Sequence, residues 1–237
     1  MDKRINVAEP VAAAIGTVRS LRVRSARSAQ PGVVPAAVAI AGVGLDGDVH
    51  ADTLSPRQVL LAGVHAYDQY RLEANALREN LLLDLDSSVL RSGALLRIGP
   101  QAVLWLTFQC EPCGHLDAHQ PGLSKRIGAH RGMLARVVRG GEVRPGDAVA
   151  CLQRSLPGWS DDWRERVVRI LQSVPDDMVL EYKQLARLAG VSTSYCRVFP
   201  RMARDLGLSE KLVPMRSQSG KARWEGSELF DVEQGRR

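Results

Sequence analysis

The chain has 237 residues, 45% of them apolar and 24% charged, with a formal net charge of +6. Those fractions belong to an ordinary globular protein and exclude a disordered chain. No apolar run approaches the roughly 20 residues that span a bilayer, and the N-terminus lacks a secretory pattern, so the protein is expected in the cytoplasm, away from membranes.

Residues 1 to about 30 open with Ala- and Arg-rich sequence, within which Ile15 to Val23 alternates like a strand. Val38 to Ala41 is a second short apolar run. It ends in Gly44-Leu45-Asp46-Gly47-Asp48-Val49-His50, too rich in glycine and aspartate around one histidine to be a plain linker. Pro56 to Leu61 reads as a strand, and Val64 to Arg78 carries Val64, Tyr67, Tyr70, Ala74 and Leu77 at helical spacing. Leu81-Leu82 returns to a strand. Gly93, Gly99 and Pro100 punctuate Leu95 to Ile98, and Ala102 to Phe108 is apolar enough to be a strand buried on both faces. Gly132 to Arg139 and Ala148 to Leu152 complete the series, with a tight turn at Pro145-Gly146-Asp147. Many strands with one evident helix predict a β-rich, barrel-like domain over 1–155.

The pattern changes after Leu156-Pro157-Gly158, so a second domain is expected over 156–237. Ser160 is placed to cap a helix that carries Trp163, Val167, Ile170, Leu171 and Val174 on one face and stops at Pro175. Leu180 to Ala189 predicts a second helix ended by Gly190, and Ser192 or Thr193 caps a third, where Pro200 must either kink it or mark its start. Leu212 to Arg216 and Ala222 to Trp224, joined by a turn at Gln218 to Lys221, suggest a hairpin. Three helices and a basic hairpin make a small winged helix-turn-helix domain, and the fold class is α+β. From Lys183 to Trp224 there are nine Lys and Arg against two acidic residues, so the chain's positive excess sits here and suits duplex DNA.

The apolar strand delivers Cys110-Glu111-Pro112-Cys113-Gly114. Two thiols at that spacing fit a soft metal ligand, a persulfide carrier, a redox couple or half of a zinc site, and spacing alone does not choose among them. A structural zinc site lacks a second Cys-x-x-Cys, and a redox pair wants a helix after its first thiol where Pro112 and Gly114 suggest a loop. Cys151 and Cys196 read as small buried hydrophobes.

Taken together, Gly44 to His50, Arg57-Gln58-Val59, Glu79-Asn80-Leu81, Cys110 to Cys113, Arg131 to Gly141 and Pro145 to Val149 resemble, in order, the MOSC domain of molybdenum cofactor sulfurases and of stand-alone bacterial proteins. The resemblance runs over about residues 10 to 152. It implies a β-barrel, binding of the molybdenum-pterin cofactor, and a cysteine that ligates molybdenum or carries sulfur. The family's cysteine follows proline in many members, which points to Cys113, with Cys110 the alternative. His50, Arg57, Asn80 and Arg136 fall at motif positions near the family's cofactor pocket.

Val179 to Gly190, Cys196-Arg197-Val198 and Val213 to Arg216 are similar to the DNA-binding domain of O6-alkylguanine-DNA alkyltransferases and alkyltransferase-like proteins. By that resemblance Tyr182 and Arg197 handle a flipped nucleotide, although one extra residue separates them. Arg201 and Arg204 join them as candidate DNA contacts. Met215 follows Pro214 where the reactive motif of that family has cysteine, so alkyl transfer to a thiol is not expected. The leading expectation is a molybdenum-dependent oxidoreductase that reduces N-hydroxylated small molecules, nucleobases among the candidates, with an electron-donor protein and a DNA-binding tail. The alternatives are a persulfide sulfur carrier and a non-enzymatic DNA-binding adaptor.

Overall fold

The computed structural model describes residues 11–217 and 219–231. They form two compact units, one of Arg57–Trp159 with the chain up to Thr53, the other of Ser160–Asp231 with Leu54–Pro56. Residues 1–10, at the start of the expected Ala- and Arg-rich opening, and Gln218, in the expected turn, lie outside the described residues.

In the first unit the strands are β1 (Val11–Val23), β2 (Gly32–Val33), β3 (Ala37–Ile40), β4 (Gly44–Leu45), β5 (Val59–Gly63), β6 (Leu81–Leu83), β7 (Ala94–Ile98), β8 (Ala102–Gln109), β9 (Met133–Arg139), β10 (Gly141–Val143) and β11 (Ala148–Ser155). Seven of them close a barrel in the order β1-β11-β7-β8-β9-β5-β6, because β1 pairs with both β6 and β11. All neighbours run antiparallel except β5 and β6. The 13-residue β1 serves two partners by bending at irregularities in its register. A small sheet, β10-β3-β4, carries the glycine-aspartate motif away from β3.

The barrel is filled by alternate side chains such as Leu21, Leu61, Leu81, Leu96, Leu104, Leu106 and Val137. Ala102 to Phe108 is buried at every position, as its unbroken apolar run predicts. A second apolar cluster, Ala62, Ala66, Leu77, Leu116, Leu123 and Ile127, lies outside the barrel interior. It packs together three short helices, α1 (Val64–Tyr70), α2 (His115–His119) and α3 (Leu123–Arg126).

Helix α1 ends at Tyr70, although helical spacing continues to Arg78. Arg71, Asn75 and Arg78 all have left-handed backbone, with φ of 50°, 67° and 53°. Buried Leu77 is held in this non-helical stretch by its N–H, which donates to the Tyr67 hydroxyl at 3.4 Å. The spacing recorded burial of Leu77 correctly and its backbone wrongly.

The second unit holds α4 (Trp163–Ser173), β12 (Met178–Glu181), α5 (Tyr182–Ala189), a 3-10 turn at Thr193–Arg197, α6 (Phe199–Asp205), β13 (Leu212–Val213) and β14 (Ala222–Arg223). Asp162, not Ser160, caps α4 by accepting from Arg164 N–H, while Ser160 Oγ accepts from Asp162 N–H one step earlier. The expected helix from Leu180 splits: Val179 and Leu180 are buried in a strand before α5 begins. Gly190 ends α5 at φ 66°, and Pro200 sits in the first turn of α6, where a missing N–H costs no hydrogen bond.

The expected hairpin is corrected. Residues 212–213 and 222–223 do not pair with each other; each runs parallel to β12, on opposite edges. The connection is too long for a tight turn and bends early, with Ser217 N–H donating to Pro214 O and Arg216 at φ 70°.

Candidate functional site

β8 ends at Gln109, and Cys110 follows with its N–H donating to Gly132 O at 2.8 Å. Cys110 is buried at 4% exposure, whereas Cys113 is exposed, and both are free thiols. The structure thus separates two residues that spacing treats as a pair. Cys113 O accepts from Leu116 N–H, and α2 begins at His115. The first thiol is thus followed by a loop, as Pro112 and Gly114 suggest, and the helix begins only after Cys113, with Gly114 before its first residue.

α2 brings His115 and His119 together, their Nε2 atoms 3.2 Å apart with the rings edge-on. His115 is held below the usual imidazole range by burial first, then by the positive charges of Arg78, His119, Arg131 and Arg24. Arg131 is 5% exposed; its Nη1 donates to Leu77 O while its Nε has no hydrogen-bond partner. Arg78 Nε is likewise buried and without one. The buried Glu79 carboxyl lies close enough to Arg131 to act as its counter-charge. None of His115, Arg78, Arg24 or this use of Arg131 stands out in the sequence, because their meeting depends on the left-handed loop at 71–78 and the turn at 128–131.

The glycine-aspartate motif is organised around Asp48, which is 5% exposed. Its carboxylate accepts from the backbone N–H groups of Arg24 and His50 and from Asn80 Nδ2, each at 2.9 Å, and lies 3.0 Å from His50 Nδ1. Burial pushes its pKa up, and the His50 side chain with the Arg24 and His50 N–H groups outweighs that, leaving it below the usual carboxylate range. Asn80 also donates to Arg22 O and accepts from Leu60 N–H. Its amide is thus spent on joining β1, β5 and the motif loop.

Arg136 is 4% exposed, with Nη2 donating to Thr53 O at 3.0 Å and its pKa lowered to about 10 by burial. Gln58 donates to Gly42 O and Asp52 O and accepts from Val137 N–H, so these two buried side chains hold the loop from Gly42 to Thr53. Arg57 is half-buried just before β5. Of the four residues expected near the cofactor, then, His50 and Asn80 meet at Asp48, while Arg136 grips the same loop elsewhere. Arg24 links this group to the thiol side, since its N–H binds Asp48 and its charge acts on His115.

In the second unit Arg197, Arg201 and Arg204 are exposed and Tyr182, the first residue of α5, is half-buried. Cys196 Sγ lies 3.4 Å from Tyr182 O, and burial raises its pKa. Arg166, on the buried face of α4, spends its guanidinium on Ala189 O, Ser160 O and Asp161 O.

The first unit is thus a closed seven-stranded barrel with an exposed thiol, Cys113, on the segment that leads into His115. Residues 52–150 match the family described as the MOSC domain. The glycine-aspartate motif at 44–50 precedes the matched span. MOSC domains as a family are linked to molybdenum cofactor binding.

Among solved structures, the YUAD protein from Bacillus subtilis is 16% identical, with a TM-score of 0.51, over 57% of this chain and 94% of its own. A hypothetical protein is 21% identical, also at 0.51, over 82% of this chain and 92% of its own. YiiM from Escherichia coli is 20% identical at 0.47, over 81% and 94%. The first two share the fold. No curated protein matches the chain. Among the described residues no helix is long and apolar enough to cross a membrane.

Proposed function

We propose that the barrel binds molybdenum cofactor through Cys113 and works as a reductase of N-hydroxylated small molecules. The observation that carries the reading is the exposed Cys113 thiol on the segment leading into His115, on which the positive charges of Arg78, Arg131 and Arg24 act. The fit rests on this chain's own donors. A thiolate is a soft ligand for a metal already held by sulfur, and the unpartnered Nε atoms of Arg78 and Arg131 suit the cofactor's phosphate. Bound there, the molybdenum group would supply two-electron, oxygen-accepting chemistry.

The chain's residues do the rest. The net reaction cleaves an N–O bond with two electrons and two protons from a donor protein, leaving an amine and water. His115, its pKa lowered by burial and nearby positive charge, sits with Nε2 3.2 Å from His119 Nε2 and can pass a proton across that contact. His50 and Arg57 keep their place as candidate cofactor contacts. Asn80 and Arg136 act by shaping the loop that carries His50. Buried Cys110 positions the segment through its N–H to Gly132.

Elemental analysis of protein purified from a cofactor-competent host tests this reading. Molybdenum is expected in the wild type and lost in Cys113→Ala; none in the wild type, or none lost in the variant, overturns it. Sulfur added to Cys113 by a cysteine desulfurase, with no molybdenum bound, would instead favour the persulfide carrier. For the second unit the proposal is duplex DNA binding, supported by the exposed cations Lys183, Arg187, Arg197, Arg201 and Arg204 on α5, α6 and the turn between them.

A further inference from the structure

A second group of metal-ligating side chains lies in the first unit and takes no part in the reading above. His65 in the first turn of α1, Asp86 before the 3-10 turn Ser87–Val89, and His130 in the 3-10 turn Gly128–Arg131 converge from three segments distant in sequence. One donor atom from each lies within 4.8 Å of the other two, the only such trio among the described residues. We infer that His65, Asp86 and His130 form a binding site for a divalent transition-metal ion of the zinc class.

The distances suit an ion. His130 Nδ1 is 3.0 Å from Asp86 Oδ1. Two ligands about 2.0–2.2 Å from one metal, at tetrahedral to octahedral angles, stand roughly 2.9–3.5 Å apart. That contact is a hydrogen bond whose length is also the separation of two ligands on one ion, so an ion would take the place of its proton and only His65 must close in. His65 can do so: it is exposed, with its ring 5.5 Å from that of His130. Asp86 and His130 are half-buried.

Ser88 N–H donates to Asp86 Oδ1, and the Tyr70 ring lies 5.9 Å from that of His130. Two imidazoles and one carboxylate favour zinc, nickel, iron or copper over calcium and magnesium, which want an all-oxygen shell. Three protein ligands leave the remaining positions to solvent, which the exposure of His65 admits.

The His115 and His119 pair offers a similar separation and is the local rival. Its surroundings argue against a cation, since Arg78, Arg131 and Arg24 surround His115 with positive charge, whereas the trio contains a carboxylate. The trio also ties α1 and the start of β7's leading turn to the segment that carries Arg131, so an ion there would brace that segment.

The test uses full-length protein stripped with chelator, carrying Cys113→Ser to remove the exposed thiol. Zinc is titrated by calorimetry and cobalt by its visible absorption. One ion per chain is expected, with affinity weakened roughly tenfold or more by His65→Ala and by His130→Ala, and unchanged by His115→Ala with His119→Ala. His65 is exposed, so its variant reports even if His130→Ala does not fold. No binding, binding that survives the His65→Ala, His130→Ala double variant, or binding lost with the His115 and His119 pair overturns the inference. Molybdenum is absent from the assay, so the result does not depend on the reductase reading.

Discussion

Asp48 shows how a single side chain turns a sequence motif into a shaped loop. Three N–H donors converge on a carboxylate that is 5% exposed, and each would be stranded without it. Its pKa in the folded protein lies below the ordinary value, so protons bind the unfolded chain more readily. The stability it contributes is therefore present above the ordinary carboxylate range and is lost as pH falls through the lowered pKa. In urea titrations against pH, the wild type is expected to weaken over that acidic window. Asp48→Asn should remove this part of the slope and cost about 1.5–3 kcal/mol at pH 7. An unchanged slope in the variant would show that Asp48 does not carry it. The motif was legible as an ordered loop, but nothing in its spacing reveals that Asn80, thirty-two positions on, completes it. The same holds for Arg78, Arg131 and His115, whose types are ordinary surface residues until the backbone turns them together.

At the scale of elements, Gly132 governs how β9 begins. It sits at φ 108°, and an added Cβ would fall 2.4 Å from Leu61 O, in the strand β5 that pairs with β9. Its carbonyl accepts from Cys110 N–H, and Arg131 precedes it, so one glycine aligns the thiol segment with the anion donors. Gly132→Ala should cost at least about 1–3 kcal/mol from backbone strain alone, read as a lower urea midpoint. A midpoint equal to wild type would mean that the two strands part without penalty and that this alignment is soft. Alternating and continuous apolar runs predicted the barrel strands well, since they reflect burial that the barrel then uses. The errors fell where burial and backbone diverge: Leu77 is core without helix, and β13 and β14 pair across β12 instead of with each other. Parallel pairing leaves no local signature, because each partner is remote in sequence.

The molecule as a whole joins a candidate redox barrel to a cationic helical unit in one chain, and charge decides how the second can act. The stretch from Lys183 to Trp224 has nine basic and two acidic residues. Without a hairpin to form a wing, phosphate contacts must come from the exposed face of α5, α6 and the turn between them. Arg201 also faces Asp205 at 3.8 Å, but both are well exposed, so that pair yields readily to a phosphate. Duplex binding followed by fluorescence anisotropy should therefore be tight at low salt and fall steeply as salt rises. Replacing Arg197, Arg201 and Arg204 together with alanine should weaken it at every sequence tested and reduce the slope of log affinity against log salt by about 3, one for each lost phosphate contact. Tyr182→Phe should leave that slope intact, since it removes no charge. If no binding is seen at low salt, or if the triple variant keeps the wild-type slope, the basic face serves another partner than DNA.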